Sequence, residues 1–158
     1  MVAAFAGWDE VRAAEIVEAR RHVAGSTLPI LHALQEEFGY IDQAAVPLIA
    51  EAVNLSRAEI HGVLTFYHDF RRAPAGRHVV KLCRAEACQA VGAVALADHV
   101  KHRLGVDWHG TTPDGRVTLE PVFCLGLCAC GPAALVDDEP VSGFDPAAFD
   151  ERLAEMRA

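Results

Sequence analysis

Cysteine is missing from the first half of this 158-residue chain, and all five of its thiols fall between Cys83 and Cys130. Five is too few for a disulfide-stapled scaffold, so reduced thiols are expected. Long hydrophobic runs are missing too. None approaches the ~20 residues of a membrane-spanning helix, and the start of the chain lacks a basic stretch followed by an apolar one. We therefore expect no signal peptide, no direct membrane insertion and a soluble, cytoplasmic protein. Positive charge is scarce: 14 Lys+Arg stand against 22 Asp+Glu, a net charge of −8. With no basic patch, nucleic acid and anionic lipid are poor partners. G-x-G-x-x-G and the P-loop are absent, so nothing here offers to bind NAD or another nucleotide, and H-E-x-x-H, a histidine zinc motif, is absent too. What the chain does have is 52% hydrophobic residues. That suffices for an apolar core and excludes a disordered chain, and the length suits one ordinary domain or two small ones.

Helical patterning fills the first part. Asp9 to Ala24 reads as a helix with Val11, Ala14 and Val17 spaced along it, ended by Gly25. Ser26 and Thr27 offer caps before Pro29, and Leu28, Leu31, Leu34 and Phe38 recur at helical spacing until Gly39. A short helix is expected over Pro47 to Val53. Ser56-Arg57-Ala58-Glu59 is a capping box that opens a helix through Ile60, Val63 and Leu64. Arg71 to Gly76 loses the periodicity, so the chain divides into residues 1–75 and 76–158.

The second part changes period. His78 to Leu82 is β-branched and compact, a strand that delivers Cys83. A helix is expected from about Cys88 to Leu104, closed by Gly105. Thr112-Pro113-Asp114-Gly115 is turn chemistry leading to a strand over Arg116 to Phe123, which delivers Cys124. Ala133 to Val136 is a further strand, Asp138-Glu139 a tip, and Asp145-Pro146 caps a last helix with Phe149, Leu153 and Met156 on one face. The fold class is α+β, a small helical bundle followed by a β-α-β-β-α domain.

Cys83-x4-Cys88 and Cys124-x3-Cys128 each begin where a strand ends, so two loops can converge at one sheet edge. Four thiolates gathered in a reducing compartment must hold something, because buried unpaired anions are costly. A 2Fe-2S cluster, a structural zinc ion, or unliganded or disulfide-forming thiols are the alternatives. Zinc sites favour C-x2-C knuckles, whereas these loops carry an apolar collar of Ala85, Ala87, Leu125, Gly126 and Leu127. Backbone N–H groups near Gly126 and Gly131 and the start of the helix after Cys88 could offset negative charge. Glu86 is the contrary charge and is expected to face solvent or a partner. Cys130 is expected to be a spare buried thiol, with substitute ligand as the alternative.

The run Leu119 to Cys128 (Leu-Glu-Pro-Val-Phe-Cys-Leu-Gly-Leu-Cys), preceded by Thr111 to Arg116, resembles the signature of the thioredoxin-like 2Fe-2S ferredoxin family. The 24-kilodalton-type subunit of respiratory complex I belongs there. Leu28 to Tyr40 and Gly62 to Tyr67 are similar to that family's N-terminal helical region, so the resemblance spans nearly the whole chain. It implies a thioredoxin-like domain over 76–158 and a helical docking domain over 1–75. It also implies one 2Fe-2S cluster on Cys83, Cys88, Cys124 and Cys128, with no catalytic residue on this chain. Around Cys88, the run Arg84-Ala85-Glu86-Ala87-Cys88-Gln89-Ala90-Val91-Gly92 resembles the gamma subunit of NAD-dependent molybdenum formate dehydrogenases. The string Cys-Leu-Gly-Leu-Cys-Ala points the same way.

That likeness implies an electron-transfer subunit in direct contact with a flavin- and NAD-binding subunit. A molybdenum iron-sulfur catalytic subunit would belong to the same complex. FMN, NAD, further iron-sulfur clusters and the molybdenum cofactor would all lie on partners. The alternative hosts are complex I or an NAD-linked hydrogenase, and a zinc-binding regulatory module is the alternative class. Phe66, Tyr67 and Phe70 are candidate docking contacts, with core packing as their simpler role. Residues 51–60 have helix-turn-helix spacing, but Arg57 and His61 are too few cations for DNA, so a packing bundle is expected. His99-x2-His102 and His68-Asp69 are read as surface or packing residues rather than as metal ligands or an acid-base pair.

Overall fold

The structure is a computed structural model and describes residues 7–157. The chain forms two compact units, the first ending at Pro74 and the second beginning at Ala75. The first unit is helical, with α1 over Glu10–Glu18, α2 over Thr27–Phe38, α3 over Ala45–Val53 and α4 over Arg57–Phe66. Its core joins Ile16 and Val17 of α1, Ile30, Leu31, Leu34 and Phe38 of α2, Ile49 of α3, and Ile60 and Leu64 of α4.

Local chemistry explains most of the helix ends. Asp9 Oδ1 accepts the N–H groups of Val11 and Arg12 and so starts α1. That helix stops at Glu18 rather than running to Ala24, because the residues that follow offer no buried face. Val23 is exposed, and Arg20 to His22 are polar. Gly39 ends α2 at φ 76°, a left-handed conformation that costs glycine nothing, whereas Ser26 makes no side-chain cap bond at its start. Helix α3 begins two residues before Pro47, which therefore sits in a first turn where no intrahelical N–H is needed. In α4 both halves of the capping box form: Glu59 N–H donates to Ser56 Oγ, and Ser56 N–H donates to Glu59 Oε2.

The second unit contains β1 (His78–Cys83), α5 (Glu86–Ala90), α6 (Ala93–Leu104), β2 (Val117–Val122), β3 (Ala133–Val136), β4 (Glu139–Ser142) and α7 (Pro146–Arg157). The sheet order is β2-β1-β3-β4, with β1 and β2 parallel and the other pairs antiparallel, the thioredoxin-like arrangement. Alternate residues Val80, Leu82, Val117, Leu119, Ala134 and Val136 share a core with Leu96, Ala97, Val100 and Leu104 of α6 and Phe149, Leu153 and Met156 of α7. Both helices therefore cover one sheet face, and α5 with α6 forms the crossover that parallel strands require.

Two elements differ from the sequence expectation. The single helix expected after Cys88 is two helices, broken at Gly92, whose φ of 103° an L-residue rarely adopts. Strand β4 was not expected from the sequence, and it contains Pro140, which cannot donate a ladder hydrogen bond. The proline is tolerated here because β4 lies at the edge of the sheet, opposite Leu135. Asp137 and Asp138, at φ 52° and 65°, make the β3–β4 turn, one residue earlier than expected.

Asp137 also ties the turn to β1: its Oδ2 lies 2.7 Å from His78 Nδ1, and its Oδ1 accepts the Val79 N–H at 2.9 Å. Burial disfavours the charged carboxylate, but the His78 contact and the Val79 N–H outweigh it, and the Asp137 pKa lies below the ordinary value. A depressed carboxyl pKa stabilises the fold above the unfolded pKa and loses that contribution as pH falls through the folded one. Urea unfolding should therefore show Asp137→Asn less stable than wild type at neutral pH, with the gap closing only below about pH 4. Phe149 is fully buried and meets Phe144 edge to face at 6.2 Å. Phe149→Ala should cost roughly 3–5 kcal/mol in the same assay.

Candidate metal centre

Parallel pairing places Cys83 opposite Val122, so the carboxyl ends of β1 and β2 open at the same sheet edge. Arg84 N–H donates to Val122 O at 2.7 Å and extends that pairing one residue into the loops. Cys124 follows two positions after Val122 and takes a left-handed conformation at φ 71°, with Gly126 at φ 77°. Two such residues turn the chain sharply out of β2, and a short 3-10 turn over Cys128–Cys130 follows. On the β1 side, Cys88 lies within α5. That helix starts at Glu86, so the expected helix start after Cys88 is displaced toward Cys83.

The thiols differ in environment. Cys83 and Cys88 are buried, whereas Cys124, Cys128 and Cys130 are exposed. Burial works against a thiolate at Cys83, but N–H groups of Ala85, Cys124 and Leu125 directed at its sulfur, with the Cys88 thiol, outweigh it and lower its pKa. Successive N–H groups at such a turn form an anion-binding nest. Burial, reinforced by Cys83, raises the pKa of Cys88 despite an N–H from Ala133. The pKa of Cys128 is raised chiefly by its contact with the Cys124 thiol, the two sulfurs lying 3.8 Å apart.

The thiols thus gather as two pairs, Cys83 with Cys88 and Cys124 with Cys128. Among the described residues, no three His, Cys, Asp or Glu side chains close on a point as one ion would require. A sulfur separation of 3.8 Å matches the edge of a tetrahedron with metal–sulfur bonds of about 2.3 Å. The Cys124–Cys128 pair can therefore share one metal, and Cys83 and Cys88 are in side-chain contact as the second pair.

Ala93 and Ala133 are buried beside Cys83 and Cys88, and Ala85, Val122, Leu125 and Leu127 pack against them. Of the collar expected from sequence, Ala87 and Gly126 are instead exposed. The thiolate-stabilising donors named above are not from Gly126 or Gly131. Gly131 contributes space: a Cβ there would lie 3.4 Å from Cys88 Sγ and 3.0 Å from Val91 Cγ2. Glu86 is exposed, as expected. Cys130 is exposed rather than buried as expected, and its carbonyl accepts the Gly143 N–H at 2.7 Å.

The other candidates divide. Phe70 is buried against His32, with ring centroids 5.0 Å apart, whereas Phe66 and Tyr67 are 73% and 43% exposed. His99 binds Asp150 together with Arg103, joining α6 to α7, and His102 is exposed. His68 and Asp69 are exposed, and the Asp69 carbonyl accepts from Gln35. Residues 51–60 span the end of α3, a turn and the start of α4, with Ile60 buried in the bundle core. Sequence reasoning did not single out Arg84, Trp108 or Phe123, which line a cavity of about 250 Å³. The signal was present, since Arg84 and Phe123 directly adjoin two of the thiols.

Gly131→Ala must displace Val91 or the Cys88 side chain, and overpacking of this kind costs about 1–3 kcal/mol. A lower urea midpoint with an unchanged slope would show it.

A subunit of the NADH-quinone oxidoreductase of Pseudomonas aeruginosa is 34% identical over 114 residues, covering 72% of this chain and 69% of that protein. The Mycobacterium bovis protein of the same name is 33% identical over 149 residues, covering 94% of this chain and 59% of its own length. Among solved structures, an NAD+-reducing NiFe hydrogenase in the air-oxidized state superposes with a TM-score of 0.69 at 26% identity, over 89% of this chain. This chain spans only 24% of that hydrogenase chain. Residues 13–157 match the thioredoxin-like 2Fe-2S ferredoxins, and the chain belongs to that family.

Proposed function

We propose that Cys83, Cys88, Cys124 and Cys128 hold one 2Fe-2S cluster, two thiolates to each iron, and that the chain is an electron-transfer subunit of an NAD-linked oxidoreductase. The observation that carries this reading is the gathering of the thiols into two pairs at one sheet edge. A single zinc ion would instead draw four sulfurs to one point. When bound, a 2Fe-2S cluster takes up and releases one electron at a time.

The chain's own groups suit that task. The nest of N–H groups at Cys83 stabilises thiolate charge that burial alone would oppose. Buried Cys83 and Cys88 form the protein side of the site, and exposed Cys124 and Cys128 form the side that a partner can approach. No nucleotide-binding loop was found in the sequence, so NAD and a flavin belong to the partner. Exposed Phe66 and Tyr67, stacked edge to face at 5.1 Å, would supply part of a docking surface.

For the host complex, the similarity to a subunit of an NADH-quinone oxidoreductase and to an NAD+-reducing hydrogenase supports one of those two hosts. The formate dehydrogenase reading, with its molybdenum subunit, rests on the Arg84 to Gly92 run and the Cys-Leu-Gly-Leu-Cys-Ala string alone. Purification of the native complex through a tag on this chain, followed by metal analysis, separates the hosts. Molybdenum would support the formate dehydrogenase and nickel the hydrogenase.

Low-temperature EPR on anaerobically purified protein should show about one spin-half per chain after dithionite and none before. Replacing any of the four proposed ligands by Ser should abolish or alter that signal, whereas Cys130→Ser should retain it. Protein that contains zinc and gives no signal would sink the reading.

A further inference from the structure

A cavity of about 250 Å³ is lined by Arg84, Gln89, Trp108, His109, Pro121 and Phe123. Three of these are chain neighbours of the proposed ligands: Arg84 follows Cys83, Gln89 follows Cys88 and Phe123 precedes Cys124. Arg84 is held at both ends. Its N–H donates to Val122 O, its carbonyl accepts from Gln89 Nε2 at 2.7 Å, and its guanidinium carbon lies 5.2 Å from the Trp108 ring centroid. A cation over an indole face is attracted to the negative face of the ring.

Two features set this arginine apart. Its Nε is shielded from solvent and has no hydrogen-bond partner among the described residues. Lys101 lies over the same indole at 4.5 Å but is paired with Asp107, so that charge is neutralised. No carboxylate is paired with Arg84 among the described residues, and Glu86, close to it in sequence, is exposed. A guanidinium cannot lose its proton at any ordinary pH, so the residue that directly follows Cys83 in the chain carries a fixed, unneutralised charge. Shielding part of such a group without a partner is costly unless negative charge nearby offsets it.

We propose that Arg84, positioned by Trp108, is the fixed positive charge that favours the reduced state of the cluster and raises its reduction potential. The inference rests on the function proposed above. Reduction adds one electron, supplied by the flavin-bearing partner or by dithionite in the test. No bond forms or breaks at Arg84, which keeps its proton throughout. Added negative charge is stabilised by a nearby cation, and oxidised protein gains less from the same cation, so the difference appears in the potential.

The test is an EPR-monitored potentiometric titration at fixed pH, so that His109 in the same cavity keeps one charge state. Arg84→Gln should lower the reduced-to-oxidised ratio at a given potential about tenfold, which for one electron is a midpoint shift of about −59 mV. Arg84→Lys, which keeps the charge, should restore most of the wild-type value. Trp108→Leu, which removes the ring that positions the guanidinium, should shift the midpoint in the same direction by less. Lys81→Gln, at a cation already paired with Asp138 at 3.1 Å, should leave it unchanged.

A wild-type midpoint in Arg84→Gln would overturn the proposal, as would an Arg84→Lys shift as large as that of Arg84→Gln. If Arg84→Gln fails to retain its cluster, Trp108→Leu decides, and an unchanged midpoint there overturns the proposal. Absence of any reducible centre in the wild type would instead defeat the function proposed above, which keeps the two failures distinct.

Discussion

Parallel, in-register pairing of β1 with β2 is the constraint on which the site depends. Cys83 ends one strand opposite Val122 at the end of the other, so both cysteine loops emerge at the same edge. Antiparallel pairing of the same strands would send the loops to opposite ends of the sheet. Parallel neighbours need a crossover, which α5 and α6 supply, and α6 is anchored by Leu96, Ala97, Val100 and Leu104 in the core beneath the sheet. Burial of this apolar face is the driving force, and convergence of the thiols is its geometric consequence.

Convergence creates an electrostatic problem that the local backbone answers. Burial at Cys83 opposes negative charge, and the three N–H groups directed at its sulfur reverse the balance. Those of Cys124 and Leu125 reach it because Cys124 adopts a left-handed conformation as the chain leaves β2. The two loops are thus mutually dependent: the second supplies donors to a thiol of the first. Arg84, directly after Cys83 in the chain, adds a charge of opposite sign held by an aromatic ring instead of a carboxylate. A carboxylate in that position would cancel the charge that makes the residue useful. An indole orients it and leaves the net charge intact.

Much of this was legible from residue order. The Ser56–Glu59 capping box, the stop at Gly39, the strand from His78 and the turn at Asp114-Gly115 all rest on interactions within a few residues, and each forms as expected. Where expectation failed, distant contacts had decided. Apolar spacing suggested one helix after Cys88, but the conformation at Gly92 starts α6 afresh over the sheet. Strand β4 was not read from the sequence, and its Pro140 is tolerated because the edge position beside β3 needs no hydrogen bond from it. The three aromatic residues at the end of α4 looked alike in sequence, and only packing against His32 separates buried Phe70 from exposed Phe66 and Tyr67.

The same division holds at the metal centre. Spacing of the cysteines, their place after β-branched runs and the surrounding motif identified the family and the four candidate ligands, because these are properties of short segments read in order. Sequence could not say that the thiols would gather as two pairs, that one pair would be buried and the other exposed, or that Leu125 N–H would face Cys83. Nor could it place the Arg84 guanidinium over Trp108. Each of these depends on strand pairing and on burial against residues far away in the chain. Folding alone brings such groups within the few ångströms over which hydrogen bonds and charges act.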